Sequence, residues 1–529
     1  MEKKRYLIVA DVPGIKEYVF GTDRLVEIRG ASALLDKLNR RETEPFLKKR
    51  LGNSAVEPVF SNGGAGQFVI TAEKTDLEKC ILELKGFFAE QSKGGLRLIC
   101  GIAELSEDNY ADVLALAHIG LKKEKEEKTI APCTQLHTGY MQECRSCSSG
   151  MASQSYVYGD EERLLCPACV KKCEYGKKRG LWKEFAEYCD KKKGVEAKRP
   201  RTFEEIGDRC RARKGYTALI YADGNAMGKL VKKIRTIEHF KFFSDTVDTS
   251  VREACHESLY TNCKPVKDKI PANILLLGGD DLMVYLSADT AFPFALDAAR
   301  IFEEKTKEKF AGNSFFSELL EGEGLTISLG IAYGKSHTPF PIMFSQSEEL
   351  LKSAKKAGSQ DEKRGEYYAP AYIDFHLSSS YNQIKVSDSR KNHLLLHGAT
   401  DVKLYQKPYS LTDARVLMEH ARNLIEAGIP NTRLKRFGYA PSLGKNNGSL
   451  ECIKLYARSG IEQRLVIRDA LKRFGCLRDI PWKKPEQEKG DNKHKDKEDP
   501  HTTVLSDIIE LVGFMRKGSI NRKGESHAP

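Results

Sequence analysis

The stretch Gly278-Gly279-Asp280-Asp281-Leu282-Met283-Val284-Tyr285 decides the fold. Two glycines ahead of two acids and an apolar run describe a tight hairpin turn opening into a buried strand. Such a turn needs positive φ, which glycine supplies without steric cost. Upstream, Ala218-Leu219-Ile220-Tyr221-Ala222-Asp223 is a short apolar run ending in a carboxylate, and downstream Ile327-Ser328-Leu329-Gly330-Ile331-Ala332 is another. The same landmarks occur once before, in the same order: Tyr6-Leu7-Ile8-Val9-Ala10-Asp11, then Gly63-Gly64-Ala65-Gly66-Gln67-Phe68-Val69-Ile70, then Leu98-Ile99-Cys100-Gly101-Ile102-Ala103. Three landmarks repeated at similar spacing indicate an internal duplication. Helix-period segments at 77–89 and 291–307 separate the strands, so each copy reads strand, helix, strand–turn–strand, helix, strand. That order is the ferredoxin-like βαββαβ unit, and the fold class it predicts is α+β.

The same unit is the core of palm polymerases and nucleotide cyclases. In this topology the first strand neighbours the hairpin, so Asp223 is expected to face Asp280 and Asp281. Three carboxylates so close repel one another unless a cation neutralises them. Hard oxygen donors suit Mg²⁺ or Mn²⁺. Two such ions can activate a ribose 3′-hydroxyl and stabilise the pyrophosphate leaving a nucleoside triphosphate. An exposed acidic turn would also read Gly-Asp, but Asp223 upstream and the duplicated frame favour the metal site. The first copy carries Ala65 and Gly66 where the second has its acids, so it is read as degenerate and structural. Gly278 and Gly279 would leave room for the nucleotide. Asn225 and Lys229 follow Asp223 at the start of the next helix, where backbone N–H groups can hold phosphate. Lys355 and Lys356 fall on a predicted helix, where each either reaches a triphosphate or belongs to a solvated face.

Between the copies, Cys144-Arg-Ser-Cys147 and Cys166-Pro-Ala-Cys169 form two C-x-x-C knuckles 18 residues apart. Four thiolates match the tetrahedral preference of a closed, structural Zn²⁺ site. Cys173 is a spare ligand by position, Cys133 a more distant one. These features divide the chain into a degenerate palm (1–130), a zinc-binding linker (131–205) and an active palm (206–375). A mostly helical region (376–480), a charged linker expected to be disordered (481–500) and a terminal helix with a tail (501–529) follow.

The 529 residues include 86 Lys and Arg against 74 Asp and Glu, a net charge of +12. That surplus permits an anionic partner such as RNA but is too diffuse to specify one. The N-terminal run meets Asp11 too soon for a signal peptide. No stretch of about 18 apolar residues suggests a membrane span. Fourteen cysteines, several of them single, suit a reducing cytoplasm. In the C-terminal third, 411–427 and 450–476 show helical apolar spacing. Lys435-Arg-Phe-Gly-Tyr-Ala-Pro441 reads as a basic loop, an RNA contact or an ordinary connection. Residues 502–515 read as one amphipathic helix, a candidate docking element for a partner.

Taken together, these motifs resemble the large palm-polymerase subunit of type III CRISPR effector complexes. That family pairs a degenerate palm with a Gly-Gly-Asp-Asp palm, places a zinc-binding segment between them and ends in a helical domain. Asp11-Val-Pro-Gly-Ile-Lys-Glu-Tyr-Val-Phe20 with Glu27-Ile-Arg-Gly-Ala-Ser-Ala-Leu-Leu35 is similar to the family's first palm. Residues 339–356 are similar to its Glu-Leu-Leu and Ala-Lys helix, and Lys407-Pro-Tyr-Ser-Leu-Thr-Asp-Ala fits its later part more weakly. The resemblance implies conversion of ATP to cyclic oligoadenylate or a cyclic dinucleotide, in antiviral defence. Asp223, Asp280 and Asp281 would hold the metals, and the partners would be RNA and other effector subunits, or a second copy if the chain stands alone. A non-catalytic nucleotide- or RNA-binding scaffold and a diguanylate-cyclase-like enzyme are the alternatives. There are two departures. Many members begin with a His-Asp nuclease domain, and none of the 12 histidines here is followed by Asp, so DNA cleavage by that route is not expected. Asn225 stands where relatives often carry a second Asp.

Overall fold

The computed structural model describes residues 3–105, 110–127, 142–158, 161–192, 197–266, 268–361, 367–378, 385–397, 401–476, 481–484 and 500–515. The first copy comprises β1 (Lys4–Asp11), α1 (Leu25–Asp36), β2 (Val56–Asn62), β3 (Ala65–Ala72), α2 (Lys74–Ser92), β4 (Ile99–Glu104) and α3 (Tyr110–Glu126). Its sheet runs β2-β3-β1-β4, antiparallel throughout, with Asp11 opposite Ala65. The linker contributes a hairpin, β5 (Gln154–Tyr158) and β6 (Glu161–Leu165), then α4 (Pro167–Gly176) and α5 (Trp182–Lys191).

The second copy repeats the plan with β7 (Tyr216–Gly224), α6 (Ile237–Asn262), β8 (Ala272–Gly278), β9 (Asp281–Ser287), α7 (Ala288–Ala311), β10 (Ile327–Lys335) and α8 (Phe340–Gln360). Its sheet runs β8-β9-β7-β10, the same order as the first, and is extended by β11 (Tyr372–Leu377), parallel to β10, and by Tyr409–Ser410. Both copies are therefore ferredoxin-like palms, and the fold is α+β.

Burial explains why the second-palm strands read as continuous apolar runs and not as alternations. Ala218, Ile220 and Ala222 of β7 join one core with α6 and α7, while Leu219 and Tyr221 join a second core shared with Tyr6, Ile8 and Ala10 of β1. A sheet buried on both faces needs apolar residues at every position. The repeated third landmark has a packing cause. A Cβ on Gly330 would lie 2.3 Å from the Ser347 carbonyl oxygen, and one on Gly101 would lie 1.8 Å from that of Ala117. Only glycine lets the following helix, α8 or α3, close onto the fourth strand.

The C-terminal region packs α9 (Leu411–Glu426), α10 (Asn431–Tyr439), α11 (Lys445–Ala457), α12 (Ile461–Arg473) and α13 (Leu505–Val512) together, with a small sheet of Leu395–Leu396, Val402–Lys403 and His501–Thr502. The expected terminal docking helix is corrected here. Leu505, Ile508 and Leu511 of α13 are buried against this chain's own helices, and Phe514 stacks on Tyr333 of β10 at 4.5 Å. Its amphipathic face is thus satisfied internally. Of the charged linker expected at 481–500, residues 485–499 lie outside the described residues, as does Cys133, while Trp482 is buried and Lys483 bridges to Thr502. Among the described residues no helix is long and apolar enough to cross a membrane.

Candidate active site

Asp223 is the penultimate residue of β7, and Asp281 opens β9 opposite Gly278 of β8. Because β7 pairs with β9 up to Ala222–Leu282, the strand end and the Asp280–Asp281 turn are neighbours. Tyr221 shares the face of β7 that carries Asp223, two residues on. Its hydroxyl donates to Asp281 Oδ1 at 3.1 Å. From α8 the Lys355 ammonium donates to Asp223 Oδ2. The Lys16 ammonium, from the first palm's short helix Ile15–Phe20, lies 5.5 Å from the centre of the Tyr221 ring and pairs with Glu348.

The carboxylates feel one another. Burial, then Asp223 and Asp281, push Asp280 up to about 7. Burial, then Asp223, push Asp281 up to about 6, while the Tyr221 hydroxyl, Lys16 and Lys355 pull it back. Acids held this high are short of positive charge. A Cβ on Gly224 would lie 2.3 Å from Met227 Cε and 2.9 Å from Asp280 Oδ2, so glycine lets the Met227 side chain and the Asp280 carboxylate close on the strand end. An all-carboxylate donor set of this kind fits Mg²⁺ or Mn²⁺.

A charged network holds the turn from behind. Asp248 Oδ1 of α6 accepts from the Gly279 N–H at 3.1 Å, and Arg252 donates to the Leu277 carbonyl at 3.1 Å. Arg252 also pairs with Asp248 at 2.9 Å and with Glu184 of α5 at 2.8 Å, and lies 3.9 Å from Asp36 of α1. Three segments of the chain thus converge behind two glycines.

The sequence reading singled out Asp223, Asp280, Asp281, Gly278, Gly279 and Lys355, and these stand together. Asn225 differs from expectation. Its backbone N–H donates to the Thr326 carbonyl at 2.9 Å and its side-chain amide to the Thr326 hydroxyl at 2.8 Å. It is buried and offers no N–H to a phosphate. Lys229 is exposed on the five-residue helix Met227–Val231, and Lys356 is exposed on α8. Sequence reasoning missed Lys16, Tyr221, Asp248 and Arg252. Lys16 lay within a quoted motif, but its reach across to the other palm had no signal in the sequence. The degenerate copy keeps a trace of the same plan, since Asp11 lies 3.9 Å from Lys125 of α3 as Asp223 pairs with Lys355 of α8.

The thiol sulfurs of Cys144, Cys147, Cys166 and Cys169 all lie within 4.8 Å of one another, with Cys147 and Cys166 3.8 Å apart. Tetrahedral Zn–S bonds of about 2.3 Å imply S···S spacings of about 3.8 Å, so the cluster fits Zn²⁺. Cys173 stands outside it, 2.6 Å from the Tyr158 hydroxyl.

Residues 216–363 match the family model of the Cas10/Cmr2 second palm domain. No curated protein matches the sequence. Among solved structures, the Csm1-Csm4 cassette in complex with cA4 is similar at 16% identity and TM-score 0.45, covering 67% of this chain and 53% of that one. The same cassette with one ATP gives 16% and 0.45, covering 67% and 54%, so the chain spans about half the length of the chains it matches. Residues 216–363 are therefore a palm domain of the Cas10/Cmr2 second-palm type, set beside a four-cysteine cluster.

Proposed function

We propose that this chain is a two-metal nucleotidyltransferase that converts ATP to cyclic oligoadenylate or a cyclic dinucleotide in type III CRISPR-like antiviral defence. One observation carries the proposal: Asp223, Asp280 and Asp281 are retained together in the second palm, whereas the first keeps Asp11 but has Ala65 and Gly66 at its turn. A palm serving only as scaffold has no use for three mutually repelling acids.

Asp223, Asp280 and Asp281 would hold two Mg²⁺ or Mn²⁺, which when bound lower the pKa of an attacking hydroxyl and neutralise the leaving pyrophosphate. Tyr221 fixes the Asp281 carboxylate through its hydroxyl. Lys355, which donates to Asp223 from α8, would supply positive charge for the phosphates. Lys16 adds positive charge from the first palm, so the nucleotide is bound at the seam between palms. The Gly278–Gly279 turn, held by Asp248 and Arg252 and packed against Gly63 of the first palm, fixes where Asp280 and Asp281 stand. Zn²⁺ on the four cysteines braces the linker. RNA and other effector subunits are the partners this reading implies.

The test is incubation of the purified chain with each NTP and Mg²⁺ or Mn²⁺, with and without RNA, and products read by mass spectrometry. A cyclic adenylate is expected, and its dependence on RNA separates an effector subunit from a stand-alone synthase. Nucleotide bound but never converted, with RNA and both metals supplied, would favour the scaffold.

A further inference from the structure

A cavity of about 1070 Å³ opens where the first palm, the linker hairpin and the second palm meet, away from the aspartates. Its floor is Arg29 of α1, which reaches Asn273 near the start of β8 at 3.4 Å. Gly278 ends the same strand five residues later, roughly 17 Å on at about 3.4 Å per residue. Among the described residues, Arg24, Arg29, Arg163, Lys177, Arg199 and Arg201 line the cavity against two acids, Asp23 and Glu204.

The cations are unevenly satisfied. Arg24 and Arg163 share Glu161 at the rim. Asp23 is engaged in accepting from the Phe340 N–H at 2.9 Å. Arg199 spends its donors on the carbonyls of Gly176, Lys177, Lys178 and Arg179. Arg29 is only 9% exposed, gives one donor to the Pro200 carbonyl at 2.9 Å, and has a buried Nε with no partner. Burial and the neighbouring Arg199 pull Arg29 down to about 9, against the opposing pull of Glu205, as expected of a buried guanidinium without a paired anion. Among the described residues no carboxylate forms an ion pair with the guanidinium of Arg29, Arg199 or Arg201, although Glu205 accepts from the Arg201 backbone N–H at 2.9 Å. The walls are aromatic: Tyr156 and Tyr158 from β5, with Phe203 stacked on Phe340 at 5.7 Å. Forked guanidiniums suit phosphate oxygens, and aromatic faces suit bases.

We propose that this cavity binds a terminally phosphorylated nucleotide, either a free nucleoside polyphosphate or the 5′-phosphate end of an oligoribonucleotide, independently of the palm chemistry. The test uses the full chain in Mg²⁺-free buffer and fluorescence anisotropy of a labelled, 5′-phosphorylated pentaribonucleotide, with ATP and pyrophosphate as competitors. Saturable binding is expected, weakened about tenfold by Arg201→Glu or Arg29→Gln and unchanged in Asp280→Ala, Asp281→Ala. Displacement by ATP would identify a free-nucleotide site, and resistance to ATP an RNA-end site. Arg201 is exposed at the mouth, so its variant keeps the wild-type melting temperature and guards against a folding defect in Arg29→Gln. No saturable binding of the oligonucleotide or ATP, or binding equal in Arg201→Glu and wild type, would overturn the proposal.

Discussion

Gly278 of the second palm sits against Gly63 of the first: a Cβ on Gly278 would fall 3.0 Å from the Gly63 nitrogen and 3.2 Å from its Cα. Gly63 and Gly279 both have positive φ, 59° and 61°. The two Gly-Gly turns of the duplication therefore touch, and the acidic turn rests on its own degenerate copy.

Gly278→Ala should force these turns apart. The Cβ meets backbone, which cannot swing aside as a side chain can, so the displacement passes to Asp280 and Asp281. A misplacement approaching 1 Å costs on the order of 10²-fold in turnover, and the strain lowers the melting temperature by about 2–4 °C. Steady-state nucleotide conversion beside a thermal melt checks both.

Asp248→Ala removes the acceptor for the Gly279 N–H and one partner of the buried Arg252. Breaking a buried pair from one side costs about 3–5 kcal/mol. Asp248→Asn keeps an oxygen for Gly279 and should recover part of the activity while remaining less stable than wild type. Urea melts and product rates on the two variants separate turn support from charge.

The raised Asp280 and Asp281 give a pH signature. Their folded values, about 7 and about 6, exceed the unfolded carboxylate value of about 4. The folded Mg²⁺-free chain therefore binds more protons than the unfolded chain between those limits. The stability contributed by these two carboxyls falls as pH rises from about 4 to about 7 and stays lowered above that, a term isolated by comparing wild type with Asp280→Asn. Asp280→Asn should flatten this slope and raise the melting temperature at pH 7.5, and Mg²⁺ with nucleotide should oppose the fall in the native chain. Melting temperature against pH, with and without Mg²⁺, is the measurement.

How much of this could be read from the chain alone follows from what each feature depends on. The palms were legible because Asp11 with Gly63-Gly64 and Asp223 with Gly278-Gly279 recur in one order, and a repeat needs no tertiary knowledge. Asp223, Asp280, Asp281 and Lys355 were legible because fold topology alone brings strand end, turn and helix together. Lys16 was not, since it belongs to the other palm and reaches Tyr221 only through the packing of the two sheets. Asp248 and Arg252 sit mid-helix, where charged residues ordinarily face solvent, and their burial depends on α1 and α5 closing over α6. The same holds for α13, whose amphipathic pattern showed an apolar face but not that Tyr333 and the C-terminal helices would cover it.

The zinc assignment predicts about one Zn²⁺ per chain, lost in Cys166→Ser and retained in Cys173→Ser, because only the former belongs to the four-sulfur cluster. Metal analysis by mass spectrometry reads the stoichiometry. Loss of zinc should also lower the melting temperature, since metal binding energy is folding energy in such a site.

The central claim is that Asp223, Asp280 and Asp281 form one metal site with nucleotide. Its most direct test is Mn²⁺ titration followed by electron paramagnetic resonance, with a non-hydrolysable ATP analogue present, on wild type and on Asp280→Ala, Asp281→Ala. The account predicts about two Mn²⁺ ions per chain, magnetically coupled, in wild type, and loss of that signal in the variant with the fold intact. Equal Mn²⁺ binding by both proteins would contradict it.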